Sequence, residues 1–328
     1  MDGMLGPCLV PCSAWAARRL SQVGGTGRLV PMDTLEPTFA ADRDPFRALR
    51  PRLHGIAYRM LGSRADAEDV LQDAWLRWLE ADQAALRSAE AWLVTVVTRL
   101  SIDRLRTAKR ERESYAGAWL PEPIVAVDEQ TPEGIVERAG ELSVAFLHLL
   151  ERLGPEERAA YLLRQAFDYD YGEIATMLGK SEPAVRQAVH RATERLRLDR
   201  PRFEVPRDTH VRLLQRFVAA ASTGDRAAIR AMLADDVEIV GDGGGKVPAV
   251  AGGIHGAERA ANLYWAHQLR YGARMVYRIA SINGVPGFLR FVDGQLESAQ
   301  AVETDGERIV ALHAVRNPDK LARIVAAP

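Results

Sequence analysis

The hydrophobic pattern of the chain changes once along its length, and this change limits the folds that the chain can adopt. Up to about residue 198, apolar residues recur at spacings of three and four, which is typical of amphipathic helices. A stretch with two prolines, DRPRFEVPRD (199–208), ends this part. After one more pair of helices the pattern alternates in strand fashion, and Asn283–Gly284 and Asp293–Gly294 stand where hairpin turns are expected. The chain is therefore predicted to be multidomain, with two all-α domains followed by an α+β domain.

Composition divides the 328 residues further. Residues 114–138 contain WLPEP and further prolines with little periodicity, so they are predicted to be a linker between helical domains at 40–113 and 139–200. The α+β domain is predicted over 207–328. Residues 1–39, which begin with a Gly- and Pro-rich stretch of weak periodicity, are expected to be a disordered extension.

The cysteines lie outside the predicted folded body. Cys8 and Cys12 are the two cysteines of the chain, so neither a disulfide framework nor a thiolate metal site is predicted in the domains. No metal or cofactor is expected, and a reducing cytoplasm is the expected compartment. No run approaches 18 apolar residues, so no membrane association is expected.

The stretch DYGEIATMLGKSEPAVRQAVHRATERLR (170–197) predicts two short helices joined at Gly179, with Ser181 as the cap of the second helix. This is the arrangement of a helix-turn-helix, whose second helix enters the major groove of DNA. Arg186 and Gln187 are suited to base edges, and the lysine and arginines around them are suited to phosphates. A helical hairpin without DNA binding is the alternative.

Two earlier predicted helices differ in charge. Between Asp66 and Glu80 there are five acidic residues and one basic residue, over an aromatic-rich apolar side. DNA would repel this acidic face, which therefore needs a basic protein partner or faces solvent. Between Arg99 and Glu113 there are six basic and three acidic residues, and this end is suited to DNA.

The order of these motifs resembles the extracytoplasmic-function (ECF) sigma factors of bacterial RNA polymerase. The match runs from Asp66 to Trp75, from Trp92 to Arg106, and from Leu149 to Leu196. The resemblance implies a sigma-2 domain that binds core RNA polymerase and recognises the −10 promoter element, and a sigma-4 domain that recognises the −35 element. The implied partners are core polymerase and promoter DNA.

The resemblance also implies which residues make these contacts. The polymerase-binding set is Asp66, Asp69, Gln72, Asp73 and Trp75. The −10 set is Arg99, Asp103, Arg104 and Arg106, and for Asp103 an ion pair on the helix surface is an equal alternative. The −35 set is Lys180, Ser181, Arg186, Gln187, His190, Arg191 and Arg195.

A glycine-rich loop, GDGGGKVP (241–248), has the appearance of a phosphate-binding loop. A Walker loop needs Ser or Thr after its lysine, and here Val247 follows Lys246. A dinucleotide-binding loop needs GxGxxG between a strand and a long helix, and this pattern is missing. Neither phosphate-binding motif is therefore complete in this loop.

One subgroup of the ECF sigma factors, the SigJ type, carries a C-terminal cone-shaped SnoaL-like domain, and the chain is similar to it in three motifs: WLPEP (119–123), DGGGK (242–246) and NPDKL (317–321). The resemblance implies that the fused domain controls sigma activity and that no separate anti-sigma factor is required. We expect DGGGK and NPDKL to meet the linker motif. The predicted regulatory contact comprises Trp119, Pro121, Asp242, Gly243, Gly244, Gly245, Lys246, Asn317, Pro318, Asp319 and Lys320.

An enzyme and a ligand-sensing repressor are the alternatives to a sigma factor. SnoaL-like domains include enzymes with an Asp or His as acid or base, and the candidates here are Asp235, Asp236, His255 and His267. No catalytic residue is expected among them, since the two aspartates are predicted to end a helix and the histidines have no evident partner. A ligand-sensing repressor is disfavoured, because a repressor needs no acidic polymerase-binding face.

Overall fold

The computed structural model describes residues 44–126, 143–198, 205–249 and 252–324, and its described residues belong to one compact unit. We call residues 44–113 the first helical region, 114–126 the linker segment, 143–198 the second helical region and 205–324 the C-terminal region. The expected extension at 1–39 and the expected helix start near Val136 lie outside the described residues.

The first helical region consists of three helices: α1 (Pro45–Leu61), α2 (Arg64–Glu80) and α3 (Ala89–Glu113). Their ends follow from local side-chain chemistry. Gly62 ends α1 in the left-handed conformation, with φ of 66°, and Ser63 and Ser88 cap α2 and α3 by accepting hydrogen bonds from Asp66 N and Ala91 N.

The second helical region has four helices among the described residues: α4 (Val144–Leu150), α5 (Pro155–Gln165), α6 (Tyr171–Leu178) and α7 (Glu182–Leu198). Asp170 and Glu173 form a capping box at the start of α6, and Gly179 ends it in the left-handed conformation, with φ of 64°. The predicted helix-turn-helix is therefore formed by α6 and α7.

The C-terminal region begins with two helices, α8 (Arg207–Thr223) and α9 (Arg226–Ala231). Two strands and a helix follow, which are β2 (Leu233–Asp242), β3 (Ile254–His255) and α10 (Ala257–Tyr271). The region ends with four strands and a short helix, which are β4 (Met275–Ile282), β5 (Val285–Val292), β6 (Gln295–Thr304), β7 (Ile309–Val315) and α11 (Pro318–Leu321). Both predicted hairpin turns are present, and Asn283 and Asp293 have φ of 49° and 52°. The α+β fold class is confirmed.

The linker segment is more than a connection. Val125–Ala126 form β1, which pairs antiparallel with β4, so the order of the sheet in the described residues is β1-β4-β5-β6-β7-β2-β3. Leu120 is fully buried. Composition alone predicted only a linker here, because prolines conceal a two-residue strand whose partner lies about 155 residues later in the chain.

Three apolar clusters hold the described residues together. One is continuous across the first and second helical regions. A second lies between α8, α9, α10 and one face of the sheet. In the third, Leu120 of the linker segment and Val144 of α4 pack with Phe291 and Val315 on the other face of the sheet. The helical regions and the C-terminal region therefore share a core.

A pair of buried histidines lies where α4 meets the sheet. The rings of His148 and His313 are 6.0 Å apart. Burial lowers the pKa of His313 to about 3, and His148 adds to this effect. Burial also lowers the pKa of His148, although Glu151 partly opposes the shift. Both rings are therefore neutral in the folded chain near neutral pH.

We expect His313 to make the stability of the fold depend on pH. Between about pH 7.5 and about pH 5 the unfolded chain binds a proton at this histidine, whose ordinary pKa is about 6.5, and the folded chain does not. Stability should therefore fall as the pH falls. In His313→Gln the fall in the thermal unfolding midpoint across this range should be smaller, with His190→Gln on the exposed surface as the control. An equal fall in His313→Gln and the unsubstituted protein would contradict the assignment.

Candidate functional site

The polymerase-binding set divides into two groups on α2. Asp66 pairs with Arg104 of α3 at 2.6 Å, and Trp75 packs on Phe46 with ring centroids 4.9 Å apart. Asp69, Gln72 and Asp73 are exposed. Asp66 and Trp75 therefore stabilise the helix packing, whereas the other three face outward.

Two exposed leucines extend this outward face. Leu76 and Leu79 of α2 are 52% and 57% exposed, although both are large and apolar. They follow the exposed acids on the same helix, so the face combines negative charge with an apolar patch. The predicted polymerase-binding set does not include these two leucines.

The −10 set lies on α3, and its charged groups already have partners within the chain. Arg99 Nε donates to the carbonyl oxygen of Met177, at 3.0 Å, in the second helical region. Asp103 pairs with Arg106 at 3.0 Å, which is the ion pair that the sequence left open as an alternative. Arg104 is held by Asp66, and this bond raises its pKa.

The −35 set lies on α7 and the turn before it. Arg186 pairs with Glu182, and its guanidinium lies 4.2 Å from the centre of the Tyr171 ring. Arg191 and Arg195 pair with Glu157 of α5 at 3.3 and 2.9 Å. The exposed remainder of the set is Ser181, Gln187 and His190.

One carboxylate joins the two sets. Glu156 at the start of α5 accepts from Arg106 of the −10 set at 2.8 Å and pairs with Lys180 of the −35 set at 2.6 Å. The bond from Lys180 is the largest of the effects that lower the pKa of Glu156. The two candidate DNA-binding sets thus meet at a single side chain.

The three short motifs meet at the carboxylate of Asp242, which is fully buried. One oxygen, Oδ1, accepts from Tyr115 Oη at 2.6 Å and from Gly244 N at 3.0 Å. The other, Oδ2, accepts from Leu120 N at 2.9 Å and from Lys320 Nζ at 2.7 Å. We call the group of Tyr115, Leu120, Asp242, Gly244 and Lys320 the clasp.

Burial lowers the pKa of Lys320, and the charge of Asp242 partly restores it. Lys320 also donates to the carbonyl oxygen of Leu120. The linker peptide at Leu120 is therefore held from both sides, through its N–H by Asp242 and through its C=O by Lys320.

Trp119 of the linker segment lies between two cations. The guanidinium of Arg112 is 3.5 Å from its ring centre, and Lys320 Nζ is 4.1 Å away. Its ring also lies against Gly62, where an added Cβ would come within 2.7 Å of it. Trp119 therefore joins the end of α1, the end of α3 and α11.

The glycines of DGGGK allow the loop to approach its neighbours closely. Gly244 has φ of 63°, and a Cβ there would lie 2.3 Å from Asn317 of NPDKL. Asn317 in turn donates to Tyr115 Oη at 2.9 Å. Gly243 is buried and Gly245 is exposed, and a Cβ on Gly245 would come within 3.1 Å of Ala116.

The sequence predicts that the charged residues of DGGGK and NPDKL contact the linker segment, but two of them do not. Lys246 and Asp319 pair with each other at 2.6 Å on an exposed surface of the C-terminal region, so they do not hold the linker segment. Pro318 is exposed and begins α11, and Pro121 is buried. The reason is the turn at Asn317, which directs Lys320 inward to Asp242 and leaves Asp319 outside.

A second set of bonds between regions was missed in the sequence. Tyr58 of α1 donates to the carbonyl oxygen of Glu122 at 2.8 Å, and Asn283 donates to Tyr58 Oη at 2.7 Å. Glu122 Oε2 accepts from Arg64 N at 2.8 Å, and Asn283 Oδ1 accepts from Ile124 N at 3.0 Å. The sequence predicts Asn283 only as a turn residue, and no motif indicates its contacts with Tyr58 and Ile124.

The alternative catalytic residues lie in different surroundings. Asp235 and Asp236 are exposed within β2, where a helix end was predicted, and His255 is exposed next to Glu238. His267 lines a cavity, and its Nδ1 accepts a hydrogen bond from the cationic Arg290, so the ring is a neutral acceptor.

Within the described residues, no group of three or more His, Cys, Asp or Glu is placed to hold a metal ion. None of the helices in this part of the chain combines the length and the apolar character needed to cross a membrane.

Comparisons with known proteins agree with this arrangement. The family model for Sigma-70 region 2 matches residues 45–111, and the model for Sigma-70, region 4 matches residues 143–196. The ECF RNA polymerase sigma factor SigJ of Mycobacterium tuberculosis is 36% identical over 286 residues, which are 84% of this chain and 91% of that protein. The probable ECF sigma factor SigI of the same species is 29% identical over 292 residues, 88% of this chain and 97% of that protein.

Among solved structures, the crystal structure of the Mycobacterium tuberculosis sigma factor SigJ is similar, with a TM-score of 0.69 and 33% identity over 84% of this chain and 97% of that chain. The order of the two sigma domains and the C-terminal α+β domain is therefore confirmed. The chain belongs to the extracytoplasmic-function (ECF) sigma factors of RNA polymerase.

Proposed function

We propose that this sigma factor initiates transcription with core RNA polymerase and that its C-terminal region controls it by holding the two helical regions in a closed arrangement. The polymerase contact is the outward face of α2, and the −10 and −35 sets read the promoter. The clasp is the element that opens. In this proposal the fused region acts in the cytoplasm in place of a separate anti-sigma factor.

The observation that carries the proposal is the shared carboxylate of Glu156. The −10 and −35 elements are named for positions about 25 base pairs apart, which is roughly 85 Å of B-DNA at 3.4 Å per base pair. Arg106 and Lys180, however, both contact Glu156. Side chains that meet at one carboxylate cannot lie on both elements, so the helical regions must separate before the promoter is bound.

The clasp is suited to hold the closed arrangement because it ties the linker segment to the C-terminal region at a buried charge. The linker segment follows α3 directly, so its position fixes the end of the first helical region. Glu151 at the end of α4 adds a bond to Arg112 of α3 and to Arg158 of α5. Burial opposes ionisation of Glu151, but the two arginines outweigh it and lower its pKa.

Regulation fits the C-terminal region better than catalysis. Its bonds to the linker segment use Asp242, Lys320 and Asn283, whereas the four candidate acids and bases are exposed or held as a neutral acceptor. A proton donor and a proton acceptor side by side are what acid–base chemistry needs.

Opening the clasp should raise transcription. Asp242→Asn keeps the size of the side chain but leaves Lys320 buried without its counter-ion, a loss of about 3–5 kcal/mol. We expect a larger distance between fluorophores at Arg77→Cys and Glu194→Cys, in a chain with Cys8→Ser and Cys12→Ser. Promoter output in vitro should rise when core polymerase is limiting.

The matched control is Lys246→Ala, which removes an exposed pair worth little stability. It should change neither the fluorophore distance nor the output. The proposal fails if Asp242→Asn leaves both at the level of the unsubstituted protein.

The outward face of α2 should bind core polymerase. Asp69→Lys with Asp73→Lys reverses two exposed charges, so the affinity for core polymerase should fall in a direct binding assay, while binding of promoter DNA by the second helical region should persist. The control is Glu307→Lys, which reverses an exposed charge in the turn between β6 and β7. Equal binding of core polymerase by the double variant and the unsubstituted protein would show that another face makes the contact.

Arg186 and Arg195 should contribute differently to DNA binding. Arg186→Ala at the start of α7 should cost about 1–3 kcal/mol and relax the preference at one base pair. Arg195→Ala should weaken binding to all sequences and reduce the salt dependence by about one phosphate contact. Titrations of promoter variants at several salt concentrations separate the two, and equal, sequence-independent losses would reduce Arg186 to a phosphate contact.

A further inference from the structure

A cavity of about 260 Å³ lies in the C-terminal region between the sheet and α10. Most of its wall is apolar and comes from Ile239, Ala249, Ile254, Leu263 and Ala314. Apolar cavities with a few polar groups at one side are the usual form of small-molecule sites in proteins. The promoter-binding and clasp residues do not account for it.

One side of the cavity carries two guanidinium groups that share one carboxylate. Arg290 is 3% exposed and pairs with Glu297 at 2.6 Å. Arg316 Nε donates to the other oxygen of the same Glu297 at 2.7 Å. Both arginines line the cavity, so this wall has more positive than negative charge.

The neighbouring polar groups do not balance this charge. His267 Nδ1 lies 3.2 Å from Arg290 Nη1, and since an arginine can only donate, the histidine accepts and is neutral. Burial, together with the charge of Arg290, lowers the pKa of His267 to about 4. Tyr264 donates to Gln300 at 2.7 Å and Gln300 donates to Ser298 at 2.9 Å, and these groups are uncharged.

We infer that this cavity binds a small organic anion, with an apolar body against the aliphatic wall and one carboxylate against Arg290 and Arg316. A buried charge in excess is costly unless a counter-ion pairs with it, and a planar carboxylate matches the guanidinium fork. The cavity has room for a small organic acid with an apolar body.

Arg316 connects the cavity to the clasp. The backbone N–H of Arg316 donates to the carbonyl oxygen of Asp242 at 2.7 Å, while its side chain lines the cavity and donates to Pro248. Gly241, immediately before Asp242, is also in the cavity wall. Binding of the anion therefore acts on the clasp through Arg316, a consequence that rests on the proposed function.

Binding is tested on the full chain by ligand-observed NMR and calorimetry with benzoate, cinnamate and hexanoate, each paired with its uncharged amide. At least one acid should bind about tenfold more tightly than its amide, because a charge-assisted bond is replaced by a neutral one. Arg316→Met should weaken binding of that acid about tenfold. Arg259→Met, on the exposed side of α10, should leave it unchanged.

Arg290→Met is the second variant, and it should weaken the same acid at least as much as Arg316→Met provided that its circular dichroism matches the unsubstituted protein. The inference is overturned if none of the three acids binds at about 10 mM, or if acids and amides bind equally. It is also overturned if Arg316→Met binds the acid as well as the unsubstituted protein does.

The link to regulation has its own measurement. The bound acid should change the distance between fluorophores at Arg77→Cys and Glu194→Cys in the chain that lacks Cys8 and Cys12. Binding without a change in distance would contradict the link and leave the anion site supported. If Asp242→Asn fails to open the chain, the proposed function fails, whereas the binding measurements remain valid.

Discussion

A buried carboxylate organises the joint between the helical regions and the C-terminal region. The carboxylate of Asp242 is shielded from water, so its charge has to be matched by donors within the chain. Those donors are Tyr115 and Leu120 of the linker segment, Gly244 of its own loop, and Lys320 of α11. The left-handed turn at Gly244, the inward direction of Lys320 and the burial of Leu120 follow from this requirement.

The interface between the two helical regions has a different character, because arginines make most of its polar bonds. Arg52 lies 5.1 Å from the ring centre of Tyr169, and Arg59 lies 4.7 Å from that of Phe167. Arg99 and Arg106 bond across the same interface. The bonds of the exposed Arg99 and Arg106 are screened by salt, and DNA phosphates compete for the same groups. These bonds are therefore the part of the interface that a promoter can replace, whereas the apolar cluster shared by the two regions is unaffected by salt.

The sequence predicted what depends on neighbouring residues. Gly179 and Asn283 could be placed because helix ends and turns are set within a few positions of the chain. The motif resemblance also placed the family and the order of the domains. Tyr115, which is 127 residues away from Asp242, was outside the predicted contact, and the exposed pair of Lys246 with Asp319 shows that adjacent charges do not reveal which of them turns inward.

A switch of this kind requires that its ligand distinguish the closed arrangement from the open one, since a ligand with equal affinity for both shifts nothing. The geometry gives a source of such a difference. Arg316 holds Asp242 through its backbone and the cavity through its side chain. We infer that a ligand that moves this guanidinium also moves the strand end that supports the clasp. In that case the free energy of binding at the cavity and that of the clasp are coupled through one residue, and by linkage an open clasp alters the affinity of the cavity by the same factor.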